Sequence, residues 1–325
     1  MKIGILTTSK TTEKHEDRKL IDAAKRLGHE LEVLYVLKCS ISISSEAPSI
    51  FYEGKRIDND FDVIIPRIDM PHIQYGLSVL KQFRATGVYC TDRPAAIRRG
   101  HDKLESMQCM MDKHIPIPCT SFAHAQSDYD HIIDSVGGVP LIMKLLEGTQ
   151  GVGVFKADDE KHVKNFLSTF KQLSEPLLVQ EFIQESAGKD IRAFVIGDEV
   201  IASMQRKSDD GDFRANITLG GKSNAVNLTS AEKEMVLAAA KSIGINIGGV
   251  DFVRSHKGPL VIEINTAPDF SGPHGLDEVT GIDVGEHIIE YAVQSAHKFY
   301  AGQQDMHIIS NQNQSIAPSY NQLPA

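Results

Sequence analysis

The chain has 325 residues, 41% of them hydrophobic and 24% charged, the balance of an ordinary globular protein long enough for more than one domain. Acidic residues number 43 against 34 basic ones, a formal charge of −9 with no basic stripe, which speaks against direct nucleic-acid binding. No apolar run approaches the ~20 residues a membrane helix needs, so no membrane partner and a cytoplasmic location are expected.

Lys2 to Thr7 reads as a first buried strand rather than a signal peptide, followed by a helix over Glu16 to Leu27 closed by Gly28 and a strand over Glu30 to Val36. Phe61 to Ile68 predicts another buried strand, His72 to Thr86 a helix and Val88 to Cys90 a short strand, together a small parallel sheet over residues 1–101. The four cysteines, Cys39, Cys90, Cys109 and Cys119, lack Cys-x-x-Cys spacing and read as small buried hydrophobes, not as disulfides or zinc ligands.

A helix from Asp102 to about Lys113 is broken at Pro116 and Pro118. The texture then changes. Short strands at Leu141 to Leu145, Val152 to Lys156, Leu177 to Glu181, Ile191 to Ile196 and Val200 to Gln205 surround one helix, Asp158 to Phe170, and predict an antiparallel α+β region. A helix over Ser230 to Ile243 precedes two last strands, Gly249 to Arg254 and Leu260 to Asn265. From Ala301 onward there are eight Gln or Asn and no Lys or Arg, so residues 299–325 are expected to form a disordered tail.

The sharpest local signal is Lys144 followed by a loop containing Gly148, Gly151 and Gly153, a strand running into a glycine-rich turn and out into another strand. Such a loop can lay backbone amides against phosphate oxygens while the lysine supplies a point charge, although a plain hairpin turn is the commoner origin of the pattern alone. It has neither the Walker nor the dinucleotide-binding spacing and opens no helix. Gln180-Glu181-Phe182-Ile183 ends a buried strand, a place where an adenine can bond to main chain between apolar walls. Asp190 can reach ribose hydroxyls or can simply be solvated.

Glu263 and Asn265 lie two apart on a strand and so share a face, which Asp251 can reach from the neighbouring strand. Three oxygen ligands suit a hard cation such as Mg²⁺ that keeps waters and bridges nucleotide phosphates, whereas single acids at strand ends are usually just solvated. Glu263 sits in the apolar run Leu260 to Ile264, where a charge is costly without a role. Arg206 and Arg214, the latter in the segment Gly211 to Asn216, are candidates for stabilising charge on a transferring phosphoryl group. Protein-kinase chemistry is disfavoured, because the kinase lysine strand and catalytic loop are missing.

In chain order, Asp102-Lys103, Lys144 with its glycine loop, Gln180 to Ile183, Asp190, Gly211 to Asn216, Asp251 and Glu263 to Asn265 match the nucleotide site of the ATP-grasp enzymes. Over about residues 1–295 the sequence resembles the RimK-type ATP-grasp alpha-L-glutamate ligases, in Ile64 to Ile68, His101 to Gln108, Val136 to Val154 and Thr280 to Val284. The resemblance implies an α/β and α+β architecture, an ATP-grasp domain over 102–298 behind an N-terminal Rossmann-like pre-ATP-grasp domain. It also implies that Lys103 and Lys144 contact ATP phosphates, Glu181 and Phe182 the adenine, Asp190 the ribose, and Arg214, Ala215 and Asn216 the nucleotide. Asp251, Glu263 and Asn265 would hold two Mg²⁺ or Mn²⁺ ions.

The implied reaction adds glutamate to the carboxylate of a protein or peptide, such as a small-subunit ribosomal protein, or builds poly-alpha-glutamate, through an acyl-phosphate with release of ADP and phosphate. A homo-oligomer is expected. Two other readings stand beside it: a ligase joining an amino acid to a small metabolite or carrier protein, and a nucleotide-binding regulator without chemistry, against which three apparent metal ligands argue. The sequence departs from the family at Asn265-Thr266-Ala267-Pro268-Asp269-Phe270, where the family usually reads N-A-S-P-G-L, and in the Pro273-His274 that follows.

Overall fold

A computed structural model describes residues 1–9, 15–124, 128–146, 153–173, 176–208, 211–215 and 221–315. The opening alternation forms a four-stranded parallel sheet in the order Glu30–Tyr35, Lys2–Thr7, Val63–Arg67, Tyr89–Cys90. Val63–Arg67 is buried along its whole length, as a central parallel strand covered on both faces should be. Helix His15–Arg26 covers one face, its Leu20 and Ala23 packing with Ile3, Ile5 and Ile65. Helix Ile73–Ala85 covers the other, with Leu80 and Phe83 against Leu6 and Ile64. Between these helices in chain order comes a small antiparallel sheet of Cys39–Ser42, Ser49–Tyr52 and Lys55–Arg56, whose strands are too short and too serine-rich to announce themselves in the sequence.

Asp102 joins two helices, ending Pro94–His101 and capping Lys103–Asp112, where its Oδ1 accepts from the Glu105 amide at 2.9 Å. The apolar core does not stop at this junction. One continuous cluster runs from Leu34 and Phe83 through Ile97 and Met107 to Val236, Phe252 and Val261.

The antiparallel region resolves into two sheets. The smaller runs Val154–Ala157, Leu141–Leu145, Leu177–Glu181, Thr120–Ala123, and helices Tyr129–Ser135 and Glu160–Leu173 close its core through Ile133, Val163 and Leu167. The larger runs Lys222–Ala225, Glu199–Lys207, Lys189–Ile196, Ile247–Ser255, Gly258–Asn265. Helix Ser230–Ile243 packs against it, opened by a reciprocal cap between Thr229 and Glu232 and closed by Gly244 at φ 81°.

Two expectations need correcting. Cys39 and Cys90 are buried free thiols, each pushed up to about 12 by burial, but Cys109 is only half-buried and Cys119 is exposed, at the head of an edge strand. The last helix spans Val284–Ser315, so the expected tail is helical as far as Ser315. Helix propagation adds a hydrogen bond for each residue fixed, and here it starts from an end anchored by buried Val284, Ile288, Ile289 and Ala292, with no proline before Pro318. Residues 316–325 lie outside the described residues. Among the described residues no helix is long and apolar enough to cross a membrane.

Candidate active site

The pairing of the last two strands sets the acidic cluster. Asp251 stands opposite Glu263 and Gly249 opposite Asn265, and opposed residues of antiparallel strands project to one face. The register then slips between Asp251 and Phe252, so that Phe252 pairs with Val261 and Ile262 is bulged out. This bulge reverses the alternation. Val261 and Ile264 both enter the core beside Phe252, while Glu263 and Asn265 turn to the polar face.

The Asn265 amide donates to Asp251 Oδ2 at 3.2 Å and to Glu263 Oε1 at 3.3 Å, which brings all three expected metal ligands together. Two carboxylates and an amide carbonyl form a hard donor set that fits Mg²⁺. Among the described residues no group of three or more His, Cys, Asp or Glu side chains forms a metal site, so phosphate oxygens and water would have to complete the coordination.

Asp251 is 1% exposed and already accepts four hydrogen bonds from protein donors, one on Oδ1 and three on Oδ2. Arg192 grips it with Nε on Oδ1 at 2.8 Å and Nη2 on Oδ2 at 2.7 Å, and Arg206 Nη2 reaches Oδ2 at 2.8 Å. Burial opposes ionisation here, but the two guanidinium groups outweigh it and hold the Asp251 carboxyl well below the usual carboxylate range. Arg206, 5% exposed, also holds both oxygens of Asp190 at 2.6 Å. Its proton is likewise disfavoured by burial yet bound more tightly than usual because of Asp251 and Asp190. The residue expected at a ribose is thus locked to the residue expected at the phosphoryl group.

Arg192 was not foreseen. Its signal lay in plain spacing, since it follows Asp190 by two positions on the same strand and therefore shares its face.

The two lysines converge on the same place from other elements. Lys144 donates to Gln180 Oε1 at 2.9 Å, and burial lowers its ammonium to about 8, with Glu263 partly opposing the shift and Lys103 adding to it. Lys103 donates to the Leu145 and Leu146 carbonyls at 3.3 and 2.8 Å; burial lowers it too, again against the pull of Glu263. One carboxylate therefore feels two cations brought in by a helix N-terminus and a strand of the smaller sheet. The arrangement collects positive charge opposite an acidic pair, as a polyphosphate–metal complex requires.

Gly153 holds φ 76° and its carbonyl accepts the Leu145 amide at 3.0 Å. A Cβ at Gly153 would stand 2.8 Å from Leu145 Cδ1, so a side chain here would both strain the left-handed backbone and push Leu145 aside. Gly148, Gly151 and Asn216 lie outside the described residues.

Glu181 and Phe182 part company. The Glu181 carboxylate accepts the Cys119 amide at 3.2 Å and pairs with Lys257, whereas the Phe182 ring lies edge-on to Phe213, centroids 6.4 Å apart, with the Lys156 ammonium 4.8 Å from its centre. Phe182, Phe213, Lys156, Gln184, Lys207 and Asp212 line a cavity of about 230 Å³. Arg214 is turned onto Asp212 at 2.6 Å, and Ala215 beside it is buried. A larger cavity of about 350 Å³ opens beside Ile191, Gln205 and Ser255; Asp190 borders it, but Asp251 and Glu263 are not among its walls.

Comparison with known proteins gives a consistent set of matches. The RimK pre-ATP-grasp domain family matches residues 1–97 and the RimK-like ATP-grasp domain family residues 100–292. A relative from Nitrosococcus oceani named "Probable alpha-L-glutamate ligase" is 44% identical over 296 residues, 91% of this chain and 96% of its own. Among solved structures, the ATP-grasp ligase PsnB complexed with minimal precursor, Mg and ADP superposes with a TM-score of 0.70 at 18% identity, covering 90% of this chain and 97% of that one. D-alanine–D-alanine ligase from Bacillus anthracis complexed with ATP gives 0.67 at 16% identity, covering 93% and 99%. At these identities the solved structures speak for the fold.

Proposed function

The chain belongs to the RimK-type ATP-grasp alpha-L-glutamate ligases, and from that membership we propose that it phosphorylates a protein or peptide carboxylate with ATP and joins it to the amine of glutamate. The acyl-phosphate carbon is attacked by the amine nitrogen, the bond to the phosphate oxygen breaks, the ammonium proton passes to solvent, and ADP and phosphate are released. The observation that carries this reading is the joining of Asp251, Glu263 and Asn265 in one hydrogen-bonded cluster, with Arg206 bonded to Asp251 and with Lys103 and Lys144 near enough to feel the Glu263 charge.

Lys103 and Lys144 would hold ATP phosphates, with the amides of the loop containing Gly148, Gly151 and Gly153. The adenine would lie by the Glu181 main chain and the Phe182 ring, in the cavity where the Phe182 and Phe213 rings offer faces among polar side chains. Asp190 would accept from a ribose hydroxyl with the lone pairs that Arg206 leaves, and Arg214, Ala215 and Asn216 would border the phosphates.

Asp251, Glu263 and Asn265 would hold Mg²⁺ or Mn²⁺, two ions by family likeness; bound there, the metal would neutralise phosphate charge and orient the reacting oxygens. Arg206 is placed to stabilise the phosphoryl oxygens and Arg192 to fix the Asp251 carboxylate. As acceptor we favour the carboxyl terminus of a polypeptide, either a small-subunit ribosomal protein or a growing run of glutamates, with the enzyme acting as a homo-oligomer in the cytoplasm.

The test is incubation with ATP, Mg²⁺ and glutamate, with and without the acceptor protein, following nucleotide products and product mass. ADP with a mass gain of whole glutamate residues is expected. AMP and pyrophosphate, or no glutamate-dependent turnover with any acceptor, would overturn the reading.

A further inference from the structure

Arg67 ends the central strand of the N-terminal sheet and is 8% exposed. Arg56, Arg98, Arg192, Arg206 and Arg254 each pair with a carboxylate. Arg67 has no such partner among the described residues. Its one side-chain hydrogen bond there runs from Nη2 to the Pro268 carbonyl at 3.2 Å, and its guanidinium carbon stands 5.6 Å from the centre of the Phe270 ring.

A guanidinium has five N–H donors and a permanent charge, and one carbonyl with one aromatic face offsets little of the cost of burying it. Its planar fork is matched by a carboxylate, which accepts two parallel hydrogen bonds. Arg67 also stands at the carboxyl end of a parallel strand, the side of an open α/β sheet where ligands bind.

Pro268 ties this fork to the acidic cluster. It is the third residue beyond Asn265, and a Cβ placed on Gly249 would stand 3.1 Å from Pro268 Cβ and 3.7 Å from Arg192 Cδ. Gly249 is in turn the register partner of Asn265. Pro268 thus touches both Arg67 and the strand that carries Asp251, and Phe270, where the sequence departs from the family pattern, lies against the Arg67 guanidinium.

We propose that Arg67 anchors a substrate carboxylate that is not itself phosphorylated, either on the amine-donating amino acid or on the acceptor polypeptide. This rests on the ligase reading above for the identity of the substrates, and on the buried guanidinium that has no carboxylate partner among the described residues for the site. The carboxylate is held and changes no bond; its role is to place the remainder of its molecule beside the acyl-phosphate.

The experiment compares Arg67→Gln and Arg67→Lys with the wild-type protein. Steady-state kinetics with ATP, Mg²⁺, glutamate and acceptor are accompanied by the thermal shift that ADP and Mg²⁺ produce. In Arg67→Gln the KM for one carboxylate substrate is expected to rise at least tenfold with the KM for ATP within twofold; Arg67→Lys should fall between, and both variants should keep the wild-type ADP–Mg²⁺ shift. The substrate whose KM rises identifies the source. Unchanged KM values for both substrates in both variants, or loss of the ADP–Mg²⁺ shift in both, would overturn the proposal.

Should the wild-type protein show no glutamate-dependent turnover, the ligase reading fails separately, and calorimetric titrations of glutamate and of the acceptor polypeptide, each in the presence of ADP and Mg²⁺, judge the anion site. Weaker binding of either one to Arg67→Gln than to wild type supports it, and equal or absent binding of both defeats it.

Discussion

Arg192 meets Asp251 across the pairing of their two strands, Nε on Oδ1 at 2.8 Å and Nη2 on Oδ2 at 2.7 Å, so the proposed metal ligand is charge-balanced by protein before any cation arrives. A metal must share Asp251 with this guanidinium or displace it. Arg192→Met is therefore expected to lower turnover at least tenfold and to destabilise the protein by about 1–3 kcal/mol, since Arg206 remains to compensate part of the buried charge. The sign with pH follows from the depressed carboxyl: its stabilisation is complete above the unfolded value and is lost as pH falls through the lower folded one. Wild type should keep this pair across pH 5–7, and the variant should lose stability sooner on acidification. Urea midpoints at several pH values check this; parallel acid profiles would refute it.

Glu263→Gln should isolate the metal role. Glu263 has only the Asn265 amide as a side-chain hydrogen-bond partner among the described residues, so the change should leave the melting temperature nearly intact while ATP turnover falls at least a hundredfold. Asp251→Ala is a different experiment, because it strands Arg192 in a half-buried place, leaves Arg206 with Asp190 alone, and should cost about 3–5 kcal/mol of stability. Near-normal turnover in Glu263→Gln would remove the metal assignment.

Lys144 makes nucleotide binding sensitive to alkali. With its ammonium lowered to about 8 by burial, the nucleotide-free enzyme loses this cation as pH rises from 7 to 9, and ATP affinity should weaken over that interval. Stability moves the other way: the unfolded chain holds the proton up to about 10.5, so the folded state gains as pH climbs through the window between the two values. Lys144→Arg should flatten the affinity profile, and Lys144→Ala should weaken binding at pH 7. Fluorescence titration with a labelled nucleotide measures both; an affinity independent of pH in wild type would contradict the assignment.

The C-terminal helix is anchored no later than Tyr300, whose hydroxyl donates to the Asp62 carbonyl at 2.9 Å and accepts the Tyr89 amide at 3.1 Å. Removing residues 302–325 should leave glutamate-dependent ATP hydrolysis within twofold of the full-length protein, whereas Tyr300→Phe should cost about 1–2 kcal/mol by leaving two backbone groups unpaired. Intact mass after incubation with ATP and glutamate shows whether the free C-terminus is itself modified. A truncation that abolishes turnover would give the distal helix a structural role.

Local chemistry was legible from the residues alone wherever it depends on spacing along one strand. Glu263 and Asn265 share a face because strands alternate, Gly153 needs its freedom because the backbone turns there, and the buried parallel strand at Val63–Arg67 shows as an uninterrupted apolar run ended by a single arginine. What pairs with what was not legible. The bulge at Ile262 depends on the register of two strands, the double grip of Arg206 on Asp190 and Asp251 joins residues 16 and 45 positions away, and Arg67 meets Pro268 across 201. Such contacts are decided by which faces the whole molecule buries together, since a guanidinium's partner is whichever carboxylate folding brings within reach. The same holds for the final helix, whose polar composition argued for disorder until burial of Val284 to Ala296 supplied the anchored end from which it could propagate.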